Sequence, residues 1–445
     1  MDSIPEYWRW FPESRFGLFI HWGPYAAIGR GEQVLLRERL DQAEYEDAAC
    51  RWNPGRYDPR EWARVAKDAG MKYAVLTTRH HDGYCLWDSK LTDYTSAAQA
   101  PKRDFVREFI EAFRAEGLRI GLYYSFMDAR VPAFWEGPQT CPEGWEEFRE
   151  YVHGQVRELL TGYGPIDVFW FDGAWPRTQQ EWKSRELIDM MRSLQPGILI
   201  NNRLGKSEPQ DQGDAAAVED AGLNADLGDF GTPEHRIVAE ERLWESCQVT
   251  TQRLWGYTNG EWWRPSDLLL TFLIESAVKG GNLLLNVGPG PDGTLPPEFV
   301  ERLGDIGEWM RLHGEAVYGV GRGDVTEFIT RGWQAARGRR LYLIIRFWDG
   351  NASLRMPGLK TRVKRATLLT TGQDLEFSQT DDFLTILGLP RERPAKLFPV
   401  IRLECESEPE AWDWAAARLW KYDPRINTDW AAARGDSVWT GRGRR

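Results

Sequence analysis

The chain has 445 residues, 42% of them apolar and 28% charged, with a formal net charge of −11. It is long enough for one large barrel with an appendage or for two domains, and its composition is that of an ordinary globular protein. The acidic balance argues against nucleic acid and an anionic membrane as main partners, because both demand a basic face, and the terminal Arg442-Gly-Arg-Arg445 is too short to supply one.

In chain order, strand-like apolar runs fall at Phe16–Trp22, Tyr73–Thr78, Arg119–Ser125, Ile166–Phe171 and Ile198–Asn202, weakly at Arg242–Trp244, and again at Asn282–Val287. Continuous apolar runs of this length are what strands buried on both faces of a parallel sheet require. Helical periods lie between them. Residues 59–69 put Trp62, Val65, Ala66 and Ala69 on one face, and residues 104–116 do the same with Phe105, Phe109 and Phe113. Further helices are expected over 145–160, 181–194, 265–278 and 297–314, with Asp104, Ser184 and Ser266 as caps.

Strands alternating with helices over residues 10–320 predict an α/β fold, a (β/α)8-like barrel of TIM type. One strand is missing from the pattern: either the barrel is irregular or residues 203–241 hide it. Residues 1–320 are therefore read as the catalytic barrel and 321–405, with short strand-like runs separated by Gly, Pro and Asp, as a small antiparallel β-sandwich. Residues 406–445 form a Trp-rich tail of helical period in which Asp-Trp-Ala-Ala-Ala-Arg occurs twice, and such a tail offers an interface for a homo-oligomer.

The five cysteines are odd in number and scattered, with no C-x-x-C pair, so neither a disulfide framework nor a zinc site is indicated. No signal-like leader opens the chain and no apolar run reaches transmembrane length. A cytoplasmic location is the expectation, although a mature secreted form would look the same. Tryptophan is over-used, at 23 residues. Most of these belong in the core, but an indole face also suits the C–H face of a sugar ring.

Polar groups collect where the strand-like runs stop. His21 ends the first, His80-His81-Asp82 the second, Asp172 the fourth and Asn201-Asn202-Arg203 the fifth; Tyr123 lies in the third, Glu245 follows the weak sixth and Asn286 sits in the last. In a parallel barrel these ends share one face, so the groups converge on one pocket. Each alone has a plain structural explanation, Asp172-Gly173 as a turn pair above all; their convergence does not. Adjacent His80 and His81 on a strand would project to opposite sides, and no H-x-H or H-E-x-x-H spacing occurs, which argues against a metal hydrolase.

Glycoside hydrolysis instead needs two carboxyl groups, an ionised one and a protonated one. Asp172 at a rigid strand end suits the first. Two residues compete for the second: Glu234, in the Gly/Pro-bounded loop Gly-Thr-Pro-Glu234-His235 that could swing over a substrate, and Glu245, closer to a regular element. Glu32, after the first strand, could bind a hydroxyl.

With these residues assembled, the chain resembles the α-L-fucosidases of glycoside hydrolase family 29. The resemblance runs in order through Trp10-Phe-Pro-Glu-Ser-Arg-Phe-Gly-Leu-Phe-Ile-His21-Trp-Gly23, Leu76-Thr-Thr-Arg-His80-His81-Asp-Gly83 and Gly121-Leu-Tyr123-Tyr-Ser125. It continues through Trp170-Phe-Asp172-Gly, Asn202-Arg203, Trp255-Gly-Tyr257 and Gly280-Gly-Asn-Leu-Leu-Leu-Asn-Val-Gly-Pro289. It implies a retaining exo-hydrolase acting on terminal α-L-fucose of an oligosaccharide or glycoconjugate, with no metal or organic cofactor.

By the same resemblance Asp172 is the nucleophile. His21, His80, His81, Tyr123 and Arg203 would hold fucose hydroxyls and steady the nucleophile, and Trp255 would be the aromatic wall at the C5-methyl side. Glu234 is the favoured acid/base, at the position used by several bacterial members, and Glu245 the alternative, at the position assigned in animal members. Where many members carry Glu-Trp, this chain has Glu32-Gln33, and an acidic, Gly/Ala-rich insert precedes Glu234 at 205–229. A glycosidase of the same scaffold for a galactose-configured sugar, and a catalytically silent carbohydrate-binding relative, are the rival readings.

Overall fold

A computed structural model describes residues 4–207, 227–323, 325 and 331–412. Most of the 205–229 insert, and residues 413–445 with both Asp-Trp-Ala-Ala-Ala-Arg copies, lie outside the described residues. The chain folds as two units, Met1–Ser276 with Gly281–Glu308, and Ala277–Gly280 with Trp309–Arg445.

The first unit is an eight-stranded parallel barrel: β1 (Phe16–Ile20), β2 (Tyr73–Arg79), β3 (Arg119–Ser125), β4 (Val168–Asp172), β5 (Leu199–Ile200), β6 (Phe230–Gly231), β7 (Leu243–Val249) and β8 (Asn282–Val287). Neighbours pair in the order β5-β4-β3-β2-β1-β8-β7-β6, and a parallel bridge from Asn201 to Phe230 joins the two ends. The strand missing from the sequence pattern is thus β6, two residues inside the 203–241 region. β7 is longer than the 242–244 run and extends past it to Val249.

Every residue of β1, β2, β4 and β8 is buried, which is why those strands read as unbroken apolar runs. Phe19, Tyr73, Val75, Tyr123, Val168, Trp170, Leu199, Phe230, Cys247 and Leu284 share one core cluster. The helices outside follow local rules. Asp58 caps Pro59–Asp68 by accepting the N–H of Arg60 at 2.9 Å, and Asp104 caps Phe105–Ala115 by accepting that of Arg107 at 2.9 Å. Ser184 and Ser266 do not cap. Ser184 is already inside its helix and donates to the Leu204 carbonyl, and Ser266 donates to Asp305.

The second unit is an antiparallel β-sandwich. Its six-stranded sheet runs Gln373–Leu375, Val363–Leu368, Val400–Cys405, Arg340–Ile345, Gly332–Arg337 and Gly321–Arg322; the three-stranded sheet runs Ser353–Pro357, Phe383–Leu387 and Phe377–Gln379. Leu341, Leu343, Ile401 and Leu403 of the first meet Leu354, Met356, Leu384 and Ile386 of the second in one core. Among the described residues no helix is long and apolar enough to cross a membrane.

Candidate active site

The carboxyl ends of the barrel strands bring the expected residues together, and local bonds fix each one. Asp172 is the last residue of β4, and its carbonyl accepts the Phe126 N–H at 2.7 Å. β5 stops after two residues, but Asn201 prolongs its pairing: Oδ1 accepts the Phe171 N–H at 2.7 Å and Nδ2 donates to the Phe171 carbonyl at 2.9 Å. Arg203, two residues on, is thereby aimed at the end of β4.

Arg203 is the hub. Nη1 donates to Asp172 Oδ1 at 3.1 Å and Nη2 to Glu234 Oε2 at 3.0 Å, while Nε donates to Thr232 Oγ1 at 2.9 Å. The guanidinium lies over the Trp170 ring, 4.6 Å from its centroid. Burial opposes its charge, but Glu234 and Asp172 outweigh that, and the guanidinium is held above its usual range. On the other oxygen of Asp172, Tyr123 Oη donates to Oδ2 at 2.8 Å.

Glu234 is about one-third exposed, against 12% for Asp172. Trp255 Nε1 donates to Glu234 Oε1 at 3.2 Å, and the Trp255 ring sits between His21 and His235, each at a centroid distance of 5.1 Å. The backbone beside Glu234 does not hang free as the sequence suggested. The His235 N–H donates to the Cys247 carbonyl and the Cys247 N–H to the Pro233 carbonyl, both at 3.1 Å, because β6 delivers the chain alongside β7.

The three histidines are neutral donors and acceptors. Burial pushes His21 down to about 3 and His80 well below the usual range; it also lowers His81, although the charge of Asp172 pulls the other way. Asn286 fixes the tautomer of His21. Its Nδ2 donates to the Trp255 carbonyl at 2.7 Å, so its Oδ1 accepts from His21 Nδ1 at 2.7 Å and leaves Nε2 as an acceptor. Likewise Ser125 Oγ donates to the Met127 carbonyl and accepts from His81 Nδ1 at 2.7 Å, leaving His81 Nε2 as an acceptor 3.9 Å from Asp172 Oδ2.

His80 and His81 do not point to opposite sides. β2 ends at Arg79, so both lie on the turn beyond it with ring centroids 4.2 Å apart, and His80 stacks on Tyr123. Even so, among the described residues no three of His, Cys, Asp and Glu converge as metal ligands.

Glu32 is 2% exposed. Its Oε2 accepts the backbone N–H groups of Trp255 at 3.0 Å and Gly256 at 2.8 Å, whereas its Oε1 and the Nδ1 of His80 are buried with no hydrogen-bond partner among the described residues. Buried polar atoms are as a rule hydrogen-bonded, so these two stand out. Gln33 makes a bond to Arg37 instead, Oε1 accepting from Nε at 3.2 Å.

Glu245 is the one candidate the fold does not bring to the pocket. It is the third residue of β7, deep in the barrel and fully buried, with Oε2 accepting from Tyr73 Oη at 2.5 Å and Oε1 from Trp170 Nε1 at 2.8 Å. Burial pushes its carboxyl up to about 7 against those two bonds and the charge of Arg203. Placing the strand at 242–244 had put Glu245 at its exit. Thr232 and His235, which steady Arg203 and flank Glu234, were missed as site residues although both lie in the loop motif that singled out Glu234.

A parallel barrel whose carboxyl-end pocket holds two carboxyl groups on a shared arginine, walled by aromatic rings, defines a glycoside-hydrolase type of protein. The comparisons narrow the class. Residues 2–315 match the family model described as alpha-L-fucosidase. The chain is 29% identical over 425 residues to the tissue alpha-L-fucosidase of Bos taurus, covering 89% of this chain and 87% of that one.

Among solved structures, alpha-L-fucosidase isoenzyme 1 from Paenibacillus thiaminolyticus is 37% identical, with a TM-score of 0.80 over 90% of this chain and 99% of that one. A GH29 alpha-L-fucosidase from Bacteroides thetaiotaomicron, a covalent intermediate trapped with 2-fluoro-fucosyl fluoride, is 28% identical with a TM-score of 0.79, covering 91% and 97%. The chain belongs to the α-L-fucosidase family, glycoside hydrolase family 29.

Proposed function

We propose that this chain releases terminal α-L-fucose from a fucosylated oligosaccharide or glycoconjugate with retention of configuration, Asp172 being the nucleophile and Glu234 the acid/base. The observation that carries the reading is the pair of bonds from Arg203 to Asp172 and Glu234 at 3.1 and 3.0 Å. Retaining pairs lie about 5–5.5 Å apart, a separation that one guanidinium fork spans.

In the first step a carboxylate oxygen of Asp172 attacks C1 of the sugar. The C1–Oδ bond forms, the bond from C1 to the leaving oxygen breaks, and Glu234 gives that oxygen its proton. In the second step Glu234 takes a proton from water as the water oxygen bonds to C1, and Asp172 leaves with its electron pair. Tyr123 and Arg203 hold Asp172 in line for attack.

Oε1 of Glu32, Nδ1 of His80 and the acceptor nitrogens of His21 and His81 are the open groups for sugar hydroxyls. Trp255 supplies the wall for the C5-methyl side, where a sugar bearing a 6-hydroxyl would lose a hydrogen bond to water without gaining one. The test is release of 4-nitrophenol from 4-nitrophenyl α-L-fucoside. Release that disappears in Asp172→Ala supports the reading, and a chain that cleaves only another glycoside sinks it.

A further inference from the structure

The geometry points to Glu245 as a positioning residue: by holding the indole of Trp170 it sets the platform on which Arg203 and Tyr123 orient Asp172. The inference rests on the reading of Asp172 as nucleophile. A carboxylate buried in a barrel core is costly unless its oxygens are satisfied, and here both are, by two side chains that differ in what they do next. Tyr73 reaches Glu245 from β2 across Gly17, where any side chain would collide with the tyrosine ring, and its hydroxyl makes no bond to the pocket residues.

Trp170 reaches Glu245 from β4, two residues before Asp172, and its ring has two catalytic neighbours. Arg203 lies over it at 4.6 Å, and Tyr123 stacks against it at 5.8 Å with an interplanar angle of 22°. Those two residues are the donors to Asp172 Oδ1 and Oδ2. Packing holds the faces of the indole, and the one hydrogen bond that fixes its edge is from Nε1 to Glu245 Oε1 at 2.8 Å. Loss of that anchor leaves a buried N–H without a partner, so the ring shifts and carries both donors with it. A misplacement of about 1 Å at the reacting groups can cost on the order of 100-fold in rate.

Four variants separate this from simple core support. Glu245→Leu and Trp170→Phe both break the indole anchor. Glu245→Gln keeps an oxygen for the indole and an amide for Tyr73. Tyr73→Phe breaks the other carboxylate bond, together with the long one that Asn282 Nδ2 donates to Tyr73 Oη at 3.4 Å. With 4-nitrophenyl α-L-fucoside, the expected result is a fall in kcat of about 10- to 100-fold in Trp170→Phe and Glu245→Leu. KM should change far less, and the double variant should be no worse than either single one.

Glu245→Gln restores kcat to within about threefold of the parent, and Tyr73→Phe lowers the melting temperature while kcat stays near that of the parent. Full kcat in Trp170→Phe overturns the inference, and that variant decides the matter if Glu245→Leu does not fold. Glu245→Gln being as impaired as Trp170→Phe also overturns it, as does Tyr73→Phe losing kcat to the same extent. Failure of these arms with an active parent and an inactive Asp172→Ala leaves the proposed function standing; a parent that leaves the fucoside uncut removes both.

Discussion

Arg203 meets Asp172 end-on, Nη1 to Oδ1 at 3.1 Å, with the guanidinium face down on Trp170, so the second terminal nitrogen is left to bond Glu234. A lysine keeps the charge but has no planar fork and cannot serve two carboxylates at fixed positions. Arg203→Lys should therefore lower kcat/KM by about 100-fold or more with little change in melting temperature. Steady-state kinetics on an aryl α-L-fucoside, beside a thermal melt, check both halves, and a lysine variant of near-normal activity would show that charge alone suffices.

Glu234 and Glu245 are distinguishable by chemical rescue. Removing the acid/base should lower the rate by about 10²–10⁴-fold, and azide should recover part of it in Glu234→Ala on an activated substrate by replacing base-assisted water. Glu245→Ala should show no such recovery, since both its oxygens face Tyr73 and Trp170 rather than the pocket. Azide rescue of Glu245→Ala alone would reverse the assignment.

Glu32 uses one oxygen on the Trp255-Gly256 backbone and keeps the other open. A glutamine has only one oxygen for two tasks. Glu32→Gln should raise KM by about tenfold or more, the cost of a lost charge-assisted hydrogen bond of about 1.5–3 kcal/mol. Inhibition by free L-fucose should weaken in parallel. An unchanged fucose inhibition constant would remove Glu32 from sugar binding.

The burial of Glu245 also sets a pH dependence of stability. Its folded carboxyl is pushed up to about 7 from an ordinary 4.5, so between those values the folded chain binds more protons than the unfolded one and stability falls as pH rises. The full effect is on the order of 3 kcal/mol at 1.36 kcal/mol per pH unit. His21, pushed down to about 3, acts oppositely below its ordinary 6.5, because there the unfolded chain binds the extra proton. Comparison with Glu245→Gln isolates the Glu245 contribution. The parent should lose more stability than the glutamine variant between pH 4.5 and 7.5 in urea titrations, and parallel profiles would refute the prediction.

The barrel was legible where strands are buried on both faces. β1, β2, β4 and β8 announce themselves as unbroken apolar runs. β6 has two residues, too few for any period, and β7 carries Glu245, Ser246 and Gln248 buried beside its apolar positions, which disguises it as loop. That disguise moved Glu245 from mid-strand to strand exit, where it reads as a rival for acid/base.

Asp172 and Arg203 could be read because they follow recognisable strands. Thr232 could not, because its part is to accept from Arg203 across 29 positions of chain. His80 and His81 were assigned by strand alternation, which no longer applies once β2 has ended at Arg79.

The most direct measurement is mass-spectrometric mapping of the chain after treatment with 2-fluoro-fucosyl fluoride. A single 2-fluorofucosyl group on the peptide carrying Asp172, absent from Asp172→Ala, is the predicted result. A label on another carboxylate, or turnover that gives fucose of inverted configuration with no label, would contradict the double-displacement assignment.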